Sequence, residues 1–311
     1  VAAVVEVEDL HKSYGPTERL HGISFEVQAG EILGFLGVNG AGKTTTIEIL
    51  EGYRTRDGGR VSVLGTDPAR PTRQWRNRIG LVLQECELDP VYTVRETVAM
   101  FARYFDRPTD VVATIDAVGL NEKTDERIGR LSGGQKRRLD VALGLVGDPE
   151  VLFLDEPTTG LDPVARREMW SMIEGLRRAG KTIFLTTHYM DEAEHLADRI
   201  IILRAGVIAA QGTSQELGAT LGYQTEITFE PFPGFEVDHL RDVLGESVAL
   251  VDSLVRCRSN RVQEDLAALL DWAKREGIEL ANLQAIRPSL DDVFVQMAGE
   301  SPTLTEGATG E

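Results

Sequence analysis

The chain has 311 residues, of which 42% are hydrophobic and 27% charged, the composition of an ordinary globular protein with room for one large domain and one small one. Its formal charge of −17 at pH 7 opposes a nucleic-acid partner, because such binding draws much of its affinity from cationic contacts to phosphate. No apolar run approaches the roughly 18–20 residues of a bilayer span, residues 200–203 being a typical longest stretch, so any membrane role is expected to come through another protein. The N-terminus lacks a basic region followed by an apolar stretch and does not read as a signal peptide. Cys86 and Cys257 lie in unrelated contexts that suggest neither a disulfide framework nor a zinc site, and both fit a reducing cytosol.

Over about the first 215 residues, short β-type runs alternate with helical patterns, as in an α/β domain. Strands are predicted at residues 4–10, 23–27 and 32–36, the last a nearly continuous apolar run of the kind that both faces of a sheet cover. Directly after it comes Gly37-Val38-Asn39-Gly40-Ala41-Gly42-Lys43-Thr44, a complete phosphate-loop pattern, and then a helix-forming stretch from Thr45 to Leu50. The glycines let the backbone wrap closely and aim N–H groups at phosphate oxygens, while the helix offers its N-terminus to the same charge. Lys43 is expected to reach the β- and γ-phosphates, and the Thr44 hydroxyl to ligate magnesium.

Strands follow at 61–63 and 79–82, and then the texture changes. Three- and four-residue apolar spacing predicts helices over 93–105, 110–118 and 135–146, a helical subdomain of about residues 90–148 inserted into the sheet-bearing core. The third helix is preceded by Leu131-Ser132-Gly133-Gly134-Gln135, with Ser132 89 residues beyond Lys43. A serine and two glycines opening a helix read either as a second anion-binding nest or as an ordinary capped loop. The next apolar strand, 151–154, ends in Asp155-Glu156 at the carboxyl edge of the sheet, where open α/β sheets bind ligands. Asp155 is placed to hold the magnesium and Glu156 to polarise an attacking water, so the set implies phosphoryl transfer to water. Strands at 182–186, 200–203 and 207–210 complete the region. His188 follows the first of these, whereas His11, His21, His195 and His239 show no ligand spacing.

With these motifs in this order, the chain resembles the ATP-binding cassette family, and Leu131 to Gln135 is similar to that family's signature sequence. The resemblance implies a phosphate-loop NTPase core with a β-rich N-terminal part and an inserted helical subdomain, using ATP and Mg2+. It implies two copies of the chain sharing two composite sites. In each, Ser132, Gly133, Gly134 and Gln135 of one copy would close over ATP held by Gly37, Asn39, Gly40, Ala41, Gly42, Lys43, Thr44 and Thr45 of the other. It further implies that Tyr14 stacks on adenine and that Gln84 senses the γ-phosphate, contributes to the magnesium site and faces a permease. Leu161-Asp162 would be the loop that crosses the dimer interface, and His188 would be a switch at the γ-phosphate.

Beyond about Gly218 the character changes again. From residue 220 onward there are 17 acidic and 7 basic residues. The expected order is strand 224–229, helix 237–244, strands 247–251 and 254–258, helix 262–275, strand 278–286 and a last helix 290–298. That is the split β-α-β pattern of a small ferredoxin-like α+β domain over about 219–299, followed by a disordered tail at 300–311. Residues Ile286 to Phe294 resemble the closing motif of drug and antibiotic exporter ATPases of the daunorubicin-resistance type. The resemblance thus implies an export ATPase at the cytoplasmic face of the cell membrane, bound there through an integral-membrane permease. Another ABC transport system is the next reading and a soluble non-transport member the last, since the chain has one cassette and no long insertion. The acidic domain reads first as a brace for the dimer, with regulator binding or bracing within one copy as alternatives.

Overall fold

The computed structural model describes residues 3–84, 86–220, 225–245, 248–251 and 253–286. The chain falls into two compact units, Val1–Ser214 and Gln215–Glu311.

The first unit opens with an antiparallel hairpin, β1 (Ala3–Tyr14) and β2 (Thr17–Gln28), to which β4 (Gly58–Val63) adds in the order β2-β1-β4. Val5, Val7 and Leu10 face inward while Glu6 and Glu8 face out, the alternation of a sheet with one wet face. Both strands run further than their apolar alternation. Pairs such as His11 with His21 and Ser13 with Glu18 carry the ladder through polar residues, so backbone pairing sustains it where side-chain burial does not.

The second sheet has the order β5-β6-β7-β3-β8-β9. It is built from β3 (Ile32–Leu36), β5 (Ile79–Val82), β6 (Val151–Asp155), β7 (Thr182–Thr187), β8 (Arg199–Arg204) and β9 (Val207–Gly212). All neighbours are parallel except β8 and β9. The central strands β3, β6 and β7 are buried at every residue. Phe35, Phe153 and Phe184 stack beneath them with Phe25, at centroid distances of 5.3 to 6.1 Å, and full burial of each ring contributes about 2–3 kcal/mol.

Helix α1 (Lys43–Leu50) follows β3, and the short α2 (Arg73–Arg76) precedes β5. The inserted helices are α3 (Val94–Ala102), α4 (Val111–Ala117) and α5 (Gly133–Leu145). Each starts at a side-chain cap, Thr93, Asp110 and Ser132 respectively, which satisfies first-turn N–H groups that have no partner within the helix. Helix α3 stops three residues short of the expected 105. Arg103, Tyr104 and Phe105 bond three residues back, to Met100, Phe101 and Ala102, so the last turn tightens out of α geometry. Helices α6 (Pro163–Arg178) and α7 (Met190–Leu196) complete the layers. One core joins α3, α4, α5 and α6 to one face of the parallel sheet, and a second joins α1 and the antiparallel sheet to the other face.

Helix α8 (Ser214–Thr220) begins where the units divide. The second unit contains β10 (Thr225–Phe229), α9 (Asp238–Leu244), β11 (Val248–Val251), β12 (Leu254–Ser259), α10 (Val262–Glu276) and β13 (Gln284–Ile286). Its antiparallel order β11-β12-β10-β13 places β12 between the two strands of a βαβ unit, the split arrangement expected of a ferredoxin-like domain. One expectation needs correcting: only 284–286 of the proposed strand 278–286 is extended in the sheet. Gly277 ends α10 in the left-handed region, and Asn282 adopts a positive φ, so the chain turns between them and joins the ladder late. The expected helix 290–298, the closing motif beyond Ile286 and the tail 300–311 lie outside the described residues.

Candidate active site

The carboxyl ends of β3, β5, β6 and β7 all open on one edge of the parallel sheet. They deliver the phosphate loop, Asp155 with Glu156, and His188 to neighbouring positions, and Gln84 to the same edge of the sheet. The loop's shape explains its residues. Gly42 caps α1 at φ 114°, where a Cβ would also come within 2.7 Å of Leu20. A Cβ on Gly37 would meet the Leu203 carbonyl at 2.6 Å. No side chain caps α1 and no acidic residue lies in its first turn, so its N-terminal N–H groups and the helix dipole remain for an anion. Val38, Asn39, Gly40 and Thr44 are exposed there, while Gly37, Ala41 and Gly42 are buried beneath.

Lys43, only 5% exposed, donates to the Gly37 carbonyl at 2.7 Å and lies 3.5 Å from Glu156 Oε1. A buried ammonium held by its own loop is pre-positioned for phosphate oxygens. Glu156 directly follows β6 at φ 47°, a left-handed conformation that a side chain bearing a Cβ adopts at a cost. Its Oε2 accepts a hydrogen bond from the Thr159 hydroxyl at 3.1 Å. The same oxygen lies 3.1 Å from His188 Nδ1, an ion-pair distance that is not aligned as a hydrogen bond. Burial pushes the Glu156 carboxyl up, but His188, Lys43 and Thr159 outweigh it and hold the group below its ordinary range. It is therefore a carboxylate at neutral pH, competent to accept a proton from water. Asp155 shows the opposite balance. Burial raises it despite the hydrogen bond it accepts from the Thr186 hydroxyl, with the Glu156 charge adding to the rise.

Other expected residues are placed differently. Tyr14 ends β1, partly exposed, with its hydroxyl 3.3 Å from Thr45 Oγ1 and the cations of Arg54 and Lys12 over its ring at 5.1 and 5.8 Å. Gln84 is exposed beyond β5. Ser132 and Gln135 form a reciprocal capping box: Gln135 N–H donates to Ser132 Oγ at 3.3 Å, and Ser132 N–H donates to Gln135 Oε1 at 3.0 Å. Among the described residues, no hydrogen bond or ion pair joins this segment to the phosphate loop of the same chain. Gly133 is exposed, and a Cβ there would meet nothing within 4 Å, so packing inside the chain does not require glycine at that position. Asp162 caps α6, accepting from the Val164 and Ala165 N–H groups at 2.9 and 3.0 Å, and these bonds hold its carboxyl below the usual carboxylate range.

One residue was not singled out in the sequence. Arg137, 7% exposed on α5, spreads its guanidinium over five backbone carbonyls, those of Leu83, Gln84, Asp155, Glu156 and Pro157. It therefore ties the helix that starts at Ser132 to the loops after β5 and β6. The available signal was a basic residue four positions before Val141, on the buried side of α5.

The possible metal ligands Thr44, Gln84 and Asp155 offer oxygen donors, the chemistry preferred by magnesium. Among the described residues, no group of three or more His, Cys, Asp or Glu side chains is arranged to hold a metal unaided.

A family profile described as ABC transporter matches residues 20–159, and one described as the C-terminal domain of ABC transporter domain-containing protein-like chains matches residues 225–289. The Nod factor export ATP-binding protein I of Burkholderia orbicola (strain AU 1054) is 44% identical over 311 residues, covering 96% of this chain and 97% of that protein. A daunorubicin resistance ATP-binding protein of Streptomyces coeruleorubidus is 37% identical over 325 residues, covering 98% of each. Among solved structures, cbiO1 from Clostridium perfringens, part of the ABC transporter complex cbiONQ, is 30% identical with a TM-score of 0.63, over 70% of this chain and 92% of that one. A dimeric post-hydrolysis ATP-binding cassette bound to ADP and Pi, 23% identical with a TM-score of 0.60 over 67% of this chain and 98% of that one, shares the fold.

Proposed function

Because the chain belongs to the ATP-binding cassette family of ABC transporters, we propose that it hydrolyses ATP at two composite sites of a nucleotide-driven dimer and so powers export of a small molecule or drug through a separate membrane permease. The observation that carries the hydrolytic reading is the convergence of Lys43, Glu156 and His188, with separations of 3.5 and 3.1 Å about Glu156. Lys43 exchanges its loop carbonyls for the β- and γ-phosphates, and Glu156 takes the proton of the attacking water. His188 stands at the γ-phosphate beside Glu156, while Tyr14 offers a ring to adenine. Thr44, Asp155 and Gln84 would hold a magnesium ion, which supplies charge neutralisation between the phosphates.

Sharing of the nucleotide is supported by the Ser132 to Gln135 segment, exposed at Ser132 and Gly133 and half-buried at Gly134 and Gln135. Its hydrogen bonds are satisfied within its own helix, and Gly133 leaves open space for another molecule's approach. Asp162, exposed at the start of α6, would line the same seam. In this reading residues 1–218 are the ATPase domain, with the helical insertion at about 90–148, and residues 219–299 are an accessory domain that braces the dimer. No helix among the described residues is long and apolar enough to cross a membrane, in keeping with attachment to the cytoplasmic face through the permease. Export is supported by the relative named for Nod factor export, and a drug as cargo by the relative named for daunorubicin resistance.

The test is Glu156→Gln. It should bind ATP, turn over at least about a hundredfold more slowly and accumulate as a dimer with ATP in light-scattering chromatography. A variant that keeps full activity and stays monomeric with ATP would remove both the assigned base and the shared site.

A further inference from the structure

In a chain with a net charge of −17, two short stretches run the other way. Four arginines stand between Arg70 and Arg78 with no acidic residue among them, and Arg103 and Arg107 lie on either side of Asp106. Asp106 brings the two stretches together. Its Oδ1 accepts from Arg73 Nη2 at 2.8 Å and its Oδ2 from Asn77 Nδ2 at 2.9 Å, so α2 and the chain just beyond α3 share one surface. Arg73 is thereby paired, as is Arg78 with Glu150. Arg70, Arg76, Arg103 and Arg107 are exposed and have no ion-pair partner among the described residues. Tyr104, 70% exposed, and Met100, 41% exposed, flank Arg103 along the chain. Phe101 braces the Tyr104 ring edge-on at 6.1 Å and leaves most of it in solvent. The patch borders β5, the edge strand of the parallel sheet, and Arg76 lies at the same open edge as Leu81 and Leu83.

From this arrangement we infer that the arginine patch rests on the headgroups of an anionic membrane leaflet, with Tyr104 and Met100 entering the interfacial layer. The inference rests on the attachment through a permease proposed above and goes beyond it, because here the chain itself touches lipid. Guanidinium groups that no carboxylate satisfies match lipid phosphates, which accept their planar fork in paired hydrogen bonds. A tyrosine presents an apolar ring and a polar tip, the combination favoured at headgroup depth. The total charge of −17 does not cancel this attraction. A bilayer plane meets one face of the chain, and charges more than about 8 Å from it are screened at physiological salt. The patch need not hold the chain unaided either. With a permease as tether, lipid is met at a high effective concentration, so a weak contact persists.

The experiment floats the full chain with vesicles of phosphatidylcholine, alone or with roughly a third phosphatidylglycerol. Binding should be at least about tenfold tighter to the anionic vesicles and should fall steeply with added salt. Arg70→Gln, Arg103→Gln and Arg107→Gln together should remove most of that preference, at roughly fivefold per arginine, with basal ATPase activity unchanged. Arg60→Gln with Arg178→Gln, at two exposed arginines outside the patch, should leave the preference intact. Equal binding to the two vesicle types, a preference that survives the triple substitution, or a comparable loss in the control variant would each overturn the inference. Arginine-dependent binding of a single-stranded oligonucleotide without any vesicle preference would overturn it too, and would make the patch a nucleic-acid surface. Should the triple variant fold poorly, the vesicle preference and its salt dependence in the unsubstituted chain decide. ATP-driven dimerisation of Glu156→Gln, read without vesicles, reports separately on the proposed function.

Discussion

Replacing Arg137 by methionine keeps the length of the side chain and removes every donor. The loss is two nitrogens that each bridge two carbonyls, Nη1 to Leu83 at 2.5 Å and Gln84 at 3.3 Å, Nη2 to Asp155 at 2.8 Å and Glu156 at 3.2 Å, together with Nε to Pro157 at 3.0 Å. Hydrogen bonds from a charged donor contribute about 1.5–3 kcal/mol each. Part of this is offset because methionine has no cation to desolvate, and burial already disfavours the Arg137 charge. A net destabilisation of about 2–4 kcal/mol follows, or a Tm lower by roughly 5–10 °C for a domain of this size. The loops released carry Gln84 and Glu156 but not the phosphate loop. Steady-state ATPase kinetics should therefore show kcat down by about 10–100-fold, some 1.4–2.7 kcal/mol in the barrier, with KM for ATP within about twofold. Arg137→Lys should be intermediate, since an ammonium cannot reproduce the planar fork. A methionine variant with unchanged kcat at a temperature where it is folded, or one whose KM rises alone, would refute the claim that Arg137 positions the hydrolytic loops.

Ser132→Arg should cost about 1 kcal/mol of capping and leave ATP affinity of the monomer nearly unchanged while abolishing dimerisation and turnover; loss of monomer affinity in equilibrium binding would place Ser132 in its own chain's phosphate pocket. Glu51→Gln should flatten the pH dependence of stability. With its carboxyl raised by burial to about 8, the folded chain keeps a proton between pH ~4.3 and ~8 that the unfolded chain releases, so stability falls as pH rises through that window, by at most about 1.4 kcal/mol per pH unit. Denaturation curves of the two proteins that run parallel across that range would show that Glu51 is not perturbed by folding. Phe184→Ala, at the centre of the aromatic stack, should lower stability by about 3–5 kcal/mol in chemical denaturation, and a loss under 1 kcal/mol would mean that the core re-packs around the gap.

Much of the fold was legible because burial on both faces writes itself into the sequence. Residues 32–36 and 79–82 were delimited to the residue, and the phosphate loop fell between strand and helix as its glycines required. Hydrophobic periodicity failed where other forces govern the backbone, as in the polar half of the β1–β2 hairpin, the tightened end of α3 and the turn at Asn282. At the site, sequence order could nominate Glu156 and His188 but not their 3.1 Å approach, which depends on β6 and β7 being neighbours. Arg137 and Glu51 escaped notice for a common reason. A charged residue in a helix, like Arg137, or capping its end, like Glu51, reads as solvated until the partners that enclose it, distant in the chain, are known.

The parallel sheet separates two cores, and alternate residues of one strand belong to different sides: Leu152 and Leu154 to the core with α5, Val151 and Phe153 to the core with α1. The helix proposed to hold phosphate and the helix capped by Ser132 are thus stored in separate compartments with a shared wall. Packing changes in one compartment can adjust how the chain grips its own nucleotide, while changes in the other adjust what it presents beyond itself. Two properties that must act together in operation are thereby left free to vary separately in descent.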